Sequence, residues 1–308
     1  MHEYENTTSL TQQQVSISPH AQDAHGTVLV VVVAGLILGT MGVFVIESGQ
    51  DPMTTVAFRC MFGCLALLCW ATMTHRLAEL KISGQALWGV VGAGLLMASS
   101  WGLHFAAIAR TSIGVSTVVF HIQPFLTMAL GAWLLKEQVT SRQVGLTVLA
   151  FIGLDLSTGL LDMGVLKQNY SHDYLVGILL SFIGAMVYAF MPLVAKKLTS
   201  VSALALTWWQ CLVGMLLTFW WPLMNGIPPL ESLAWLFGLG TIHSGLAYVL
   251  MFAGFARLST GRMAVLQFIY PMTAFVVDWL IYDHSLSLWQ WLGLLVMGVA
   301  IWSVKRGG

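Results

Sequence analysis

Long apolar runs separated by short polar punctuation fill the chain from Val28 to Val304. Ten such runs can be marked, each close to the ~20 residues that carry a helix across a bilayer core of roughly 30 Å. None alternates with the period of two that a membrane barrel strand shows. The pattern predicts an all-α polytopic membrane protein with ten transmembrane helices. Residues 1–26 break it: they are polar, include Gln12-Gln13-Gln14, and read as a disordered tail. That tail lacks the Lys and Arg of a signal peptide, so the first run reads as a retained helix. A second polar interval, 161–173, reads as a connecting loop, and 305–308 as a short C-terminus.

The runs repeat. Phe105-Ala-Ala-Ile-Ala-Arg110-Thr-Ser112-Ile-Gly114 matches Phe252-Ala-Gly-Phe-Ala-Arg257-Leu-Ser259-Thr-Gly261 at a shift of 257 − 110 = 147, which also sets Pro124 on Pro271. Arg59-Cys60 matches Gln210-Cys211, Gly63 matches Gly214, and Gln143 matches Gln290. The chain therefore divides into a five-helix repeat over 27–160 and a second over 174–304. Five is odd, so the second copy enters the membrane upside down. Two inverted five-helix repeats form the architecture of alternating-access transporters, with the substrate site near the midplane.

Charge agrees. With both termini in the cytoplasm, that side holds Arg76, Lys81, Lys136, Arg142, Lys196, Lys197, Arg257, Arg262, Lys305 and Arg306. The other side holds Arg110 and Lys167, and Arg59 lies within a span. This asymmetry is the positive-inside pattern. Only 8% of residues are charged and 57% are hydrophobic, against roughly 25% charged in soluble domains. The 13 basic and 13 acidic residues balance, which leaves no basic field for nucleic acid. The four cysteines sit in apolar runs and suggest neither a disulfide framework nor zinc.

Several stretches, in this order, resemble the drug/metabolite transporter superfamily in its EamA-type branch. They are Gly39-Thr40…Phe44-Val45-Ile46, Pro52…Ala57-Phe58-Arg59, Ala109-Arg110-Thr111-Ser112-Ile113-Gly114…Pro124 and Leu135-Lys136-Glu137-Gln138-Val139-Thr140. The chain departs from the family pattern with Lys136 where Gly is usual, His284 where Glu is expected, and Glu47 where a basic residue is frequent. The resemblance implies a secondary transporter exporting small metabolites. Amino acids, notably the aromatic ones carried by YddG-like exporters, are a familiar cargo there. Drugs or other metabolites are the alternative cargo. A nucleotide-sugar or phosphate-ester antiporter would want several mid-depth cations, and a non-transport membrane subunit would lack a central cavity.

Polar groups inside a bilayer are costly, so each is a site candidate. The charged candidates are Glu47, Arg59 and Asp278, all in the half of the bilayer away from the cytoplasm. Glu47 and Arg59 close one helix and open the next, within reach of a mutual ion pair, and Arg59 alternatively holds a substrate carboxylate. Asp278 shares a helix face with Gln267 and Pro271. His104, His121 and His243 fall in spans, the latter two near mid-depth, which leaves both proton coupling and facilitated diffusion open. Pro124 and Pro271 interrupt equivalent helices, and paired interruptions point to the binding site. Gln123 adjoins the first of them. Trp101, Tyr188, Trp209, Tyr248 and Tyr270 lie deep enough to stack on an amphipathic cargo. The expected partners are thus a small-molecule substrate and the lipid bilayer, at a bacterial inner membrane. There is no Gly-x-x-x-x-Gly-Lys phosphate loop, no HExxH and no Gly-x-Ser-x-Gly, so the expectation is a non-enzyme with neither catalytic residues, metal nor cofactor.

Overall fold

The computed structural model describes residues 19–158, 171–283 and 285–305. The expected tail up to residue 18, most of the 161–173 loop, His284 and residues 306–308 lie outside the described residues. Among those described, all regular structure is helical. The segments join into ten rods: α1 (Gly26–Ser48), α2 (Pro52–Met73), α3 (Gln85–Ile108), α4 (Gly114–Leu134), α5 (Ser141–Thr158), α6 (His172–Lys197), α7 (Ala203–Asn225), α8 (Leu230–Phe255), α9 (Thr260–Tyr282) and α10 (Leu288–Lys305). The first helix continues back to Pro19, so the end of the expected polar tail is helical. Eight rods are long and apolar enough to cross a membrane. The other two, α5 and α10, are shorter and pack along each other.

Local chemistry sets the boundaries. Asp51 caps α2, its carboxylate accepting from Met53 N at 3.0 Å and Thr54 N at 3.1 Å, with Pro52 at the first helical position. Gly49, at φ 61°, ends α1 in the left-handed conformation that a Cβ would penalise. Ser112 caps α4 and Ser259 caps α9, and these are repeat equivalents. So are two reciprocal caps: Thr140 with Gln143 before α5, and Ser287 with Gln290 before α10. The 147-residue shift is therefore built into hydrogen bonds as well as residue types.

Helices meet through small residues, as bilayer packing requires. A Cβ on Gly63 would lie 3.1 Å from the Cys211 sulfur, and one on Gly214 would lie 2.8 Å from the Cys60 sulfur. Both partners are shifted by 151, so the α2–α7 contact is its own image under the repeat. A Cβ on Gly153 would come within 2.7 Å of the Gly293 carbonyl oxygen and 2.8 Å of Met297 N, so α5 and α10 touch backbone to backbone. The largest core cluster, with Val31, Met97, Met191, Leu206, Phe252, Phe255 and Ile269, lies between α1, α3, α6, α7, α8 and α9. The outward faces carry Leu29, Leu65, Leu179, Leu216 and Leu295. Exposed Trp70, Trp88, Trp220, Trp289 and Trp302 suit an interfacial belt.

The repeat is broken in the packing of α4 on α9. At the end where Lys and Arg gather, here termed the basic end, the last half of α4 packs on the first segment of α9, with Gly131 against the Thr260 side chain. The equivalent segments at the opposite end, Ile113–Phe120 and Ile269–Tyr282, make no comparable contact: the first packs on α6, the second on α1. Glu137 locks the closed end. It forms an ion pair with Lys196 of α6 and accepts from Thr260 N at 2.8 Å and Thr260 Oγ1 at 2.9 Å. Lys196 donates a second bond, 2.8 Å, to the Leu258 carbonyl. Burial pushes the Glu137 carboxyl up, but the Lys196 and Thr260 hydrogen bonds and the Lys196 charge outweigh it and hold it below its ordinary 4.5.

A carboxyl lowered on folding contributes stability at neutral pH that fades as pH falls through the lowered value. Glu137→Gln is thus expected to speed amide hydrogen exchange at the start of α9 at pH 7. The wild-type protein should show that loosening only below pH 4.5. Equal exchange in both proteins at pH 7 would remove Glu137 as the lock. Gly153→Leu should cost roughly 1–3 kcal/mol by overpacking, read as a lower thermal midpoint in detergent by Trp fluorescence. An unshifted midpoint would contradict the backbone contact of α5 with α10.

Candidate functional site

Two turns into α2, Arg59 enters the interior and is 3% exposed. Its position depends on glycine. A Cβ on Gly240 would lie 2.8 Å from the Arg59 carbonyl oxygen and 2.9 Å from Gly63 N, so α2 and α8 meet with nothing between their backbones. Here α8 widens into a π-helix over Leu239–Ala247, a form frequent at functional sites, whereas its repeat counterpart α3 runs on as an ordinary helix. The wide turn sets Ser244 against Arg59, whose Nε donates to Ser244 Oγ at 2.8 Å. The guanidinium carbon lies 4.4 Å from the Trp101 ring centre and 6.0 Å from that of Tyr248. Those two rings, repeat equivalents, meet edge to face at 6.2 Å.

One guanidinium nitrogen, Arg59 Nη2, is enclosed and has no hydrogen-bond partner. Among the described residues no carboxylate forms an ion pair with Arg59. A buried ion carries a desolvation penalty of several kcal/mol. A desolvated cation–π contact contributes about 2 kcal/mol and a hydrogen bond to a charged group about 1.5–3. The contacts present are of the same order as that cost, and Arg59 Nη2 keeps a donor without a partner.

Aromatic and polar groups of both halves surround this point. His104 Nδ1 bonds Ser116 Oγ at 3.1 Å, while the Ser181 hydroxyl donates to the Ser116 carbonyl at 2.8 Å. Phe120 stands 4.5 Å from His104 and 5.7 Å from Tyr188, centre to centre. His121 Nδ1 donates to the Thr117 carbonyl at 2.7 Å, which leaves Nε2 as an acceptor, and its ring lies parallel to Tyr270 at 6.2 Å. The charge of Arg59 reaches Tyr188, Tyr248, Tyr270 and His243.

Four rods break in equivalent pairs: α1 at Thr40 with α6 at Phe190, and α4 at His121–Ile122 with α9 at Gln267–Phe268. Pro124 and Pro271 lack the N–H that would bond four residues back. The carbonyls of Phe120 and Gln267, themselves 147 apart, lose that donor. Gln123 Nε2 donates to Gln267 Oε1 across the two halves, leaving Gln123 Oε1 and Gln267 Nε2 enclosed and unbonded. At the α1 break, the Thr40 hydroxyl donates to the Ile37 carbonyl at 2.7 Å and so accepts from His243 Nε2 at 2.9 Å. His243 Nδ1 is left without a partner.

Trp101, His104, His121, Gln123, Pro124, Tyr188, His243, Tyr248, Gln267, Tyr270, Pro271 and Arg59 thus gather at the helix breaks and the interior between the halves. Others fall elsewhere. Trp209 donates to the Leu80 carbonyl at 3.1 Å, at the basic end. Glu47 and Arg59 do not pair: Glu47 is exposed and accepts from the Tyr282 hydroxyl at 2.9 Å, while Arg59 turns toward α8. Asp278 acts on the same Tyr282. Two hollows lie elsewhere, at the basic end and on the outer face of α4 and α6. Ser244, Ser116, Ser181 and Thr117 escape sequence reading, because a single hydroxyl in an apolar run leaves the hydropathy pattern intact.

Known proteins resemble the chain along its length. The EamA-like transporter family matches residues 25–159 and again 175–305. An uncharacterized transporter of Bacillus subtilis (strain 168), YxxF, is 26% identical over 302 residues, covering 96% of this chain and 95% of that protein. An uncharacterized transporter of Archaeoglobus fulgidus is 24% identical over 274 residues, covering 88% and 94%. A crystal structure at 15% identity superposes with a TM-score of 0.79, covering 92% of this chain and 98% of its own, a likeness of fold. With its family matched twice, once in each half, the chain belongs to the EamA-like transporter family of the drug/metabolite transporter superfamily and is an integral membrane transporter.

Proposed function

We propose that the protein is a secondary transporter that exports small amphipathic metabolites, foremost aromatic or neutral amino acids, by alternating access. In this reading α5 and α10 also cross, giving ten spans in two inverted repeats, and the basic end faces the cytoplasm of a bacterial inner membrane. The observation that carries the reading is Arg59, a guanidinium enclosed among aromatic rings, lacking an acidic partner and keeping one donor free. A carboxylate supplies the missing charge and acceptor, and the faces of Trp101, Tyr248 and Tyr188 suit an apolar or aromatic side chain and an ammonium group. A phosphate-ester cargo is less suited, since Arg59 is the single cation at this depth.

Flux from proteoliposomes holding this protein alone, across an amino-acid panel, tests the assignment. Release of phenylalanine or a neutral amino acid is expected, and no flux of any amino acid would defeat the cargo. Arg59→Gln should reduce flux about ten- to a hundred-fold, the worth of a charge-assisted hydrogen bond, with Arg59→Lys falling between. Undiminished flux in folded Arg59→Gln protein would remove Arg59 as the anchor.

A further inference from the structure

A second cationic site lies at the basic end, away from Arg59. A hollow of about 70 Å³ is lined by Thr140, Arg142, Gln143, Leu146, Arg262, Ser303 and Val304. No acidic residue lines it, and neither arginine belongs to an ion pair among the described residues. Arg142 Nη2 donates to the Ser303 carbonyl at 2.9 Å, which commits one nitrogen and turns the guanidinium toward the hollow. Arg142 stands in the first turn of α5, where the helix dipole disfavours a cation. Two unpaired guanidiniums side by side also repel each other. The repeat would put Trp289 and Val115 in the equivalent places, so the cationic pair belongs to one end only.

We propose that this hollow holds the phosphodiester of an anionic glycerophospholipid. Two forked guanidiniums match phosphate oxygens. A basic pocket between helices at a cytoplasmic membrane surface is suited to such head groups. The surroundings favour a lipid over free phosphate. Leu146 and Val304 make the apolar side of the hollow, and the outward faces of α5 and α10 continue from it with exposed Val144, Val148, Val299 and Trp302, a path for an acyl chain.

The site also bridges the halves. Arg142 and Gln143 begin α5 of the first repeat, while Arg262 and Ser303 belong to α9 and α10 of the second. Gln143 Nε2 donates to Ser259 Oγ at 3.4 Å, and Gly261 backs onto the Gln143 side chain, next to Thr260 and the Glu137 lock. A bound phosphodiester therefore ties α5 to α9 and α10 and holds the basic end shut.

Native mass spectrometry of the full protein in detergent, titrated with phosphatidylglycerol or phosphatidylcholine, tests this without measuring transport, so it stands or falls apart from the cargo assignment. Phosphatidylglycerol should be retained about ten-fold or more better by wild type than by Arg142→Gln/Arg262→Gln. It should also raise the thermal midpoint of wild type alone. The charge-matched variant Lys81→Gln/Arg257→Gln should behave as wild type. Equal retention by both double variants, whether high or low, would overturn the site. Displacement of phosphatidylglycerol by inorganic phosphate at low millimolar concentration would replace the lipid with a free anion and overturn the proposed occupant.

Discussion

A guanidinium held in the interior of a membrane protein, with no carboxylate among the described residues to neutralise it, organises this structure. Everything near Arg59 reduces the cost of that charge without cancelling it. Gly63 and Gly240 let α8 approach, the π-turn of α8 delivers the Ser244 hydroxyl, and Trp101 lays its ring against the cation. Removing the charge with an acidic neighbour would have been a simpler solution. The arrangement is consistent with a family whose members carry solutes, because a permanent internal ion pair would have to be broken at each passage.

The two repeats share their local structure but not every contact between them. Repeat-equivalent caps, breaks and small-residue contacts recur in both halves. One contact between the halves does not recur: α4 meets α9 at the basic end but not at the other. Glu137, Lys196 and Thr260 set the balance at the closed end. Glu137 lies between the rods α4 and α5, and its ion pair with Lys196 is partly buried.

Much of this is legible in the residues. The eight long apolar helices and the repeat follow from hydropathy and from pairs such as Arg110 and Arg257, because bilayer thickness forces long apolar runs and duplication preserves spacing. Helix breaks follow from Pro124 and Pro271, whose missing N–H is a covalent fact. The short rods α5 and α10 are the weaker part of the reading, since Arg142 and Asp155 dilute the apolar run of α5. Side-chain direction is less legible. Glu47 and Arg59 are close along the chain, yet the left-handed turn at Gly49 and the glycine contact with α8 send them apart. Trp209 reads as deep but meets the carbonyl of Leu80, because the link between α2 and α3 folds back over α7. The π-turn leaves no mark in composition, since its residues are as apolar as those of an α-helix.

The enclosed polar atoms without partners sharpen the picture. Arg59 Nη2, His243 Nδ1, Gln123 Oε1, Gln267 Nε2 and Thr273 Oγ1 all belong to helices that meet between the halves. Leaving one such atom unbonded costs about 1–3 kcal/mol, more than a packing defect of one methyl group. A protein under selection for stability alone would replace them with apolar residues of similar shape. Two of them, Gln123 Oε1 and Gln267 Nε2, sit on the hydrogen-bonded glutamine pair that joins α4 of the first half to α9 of the second.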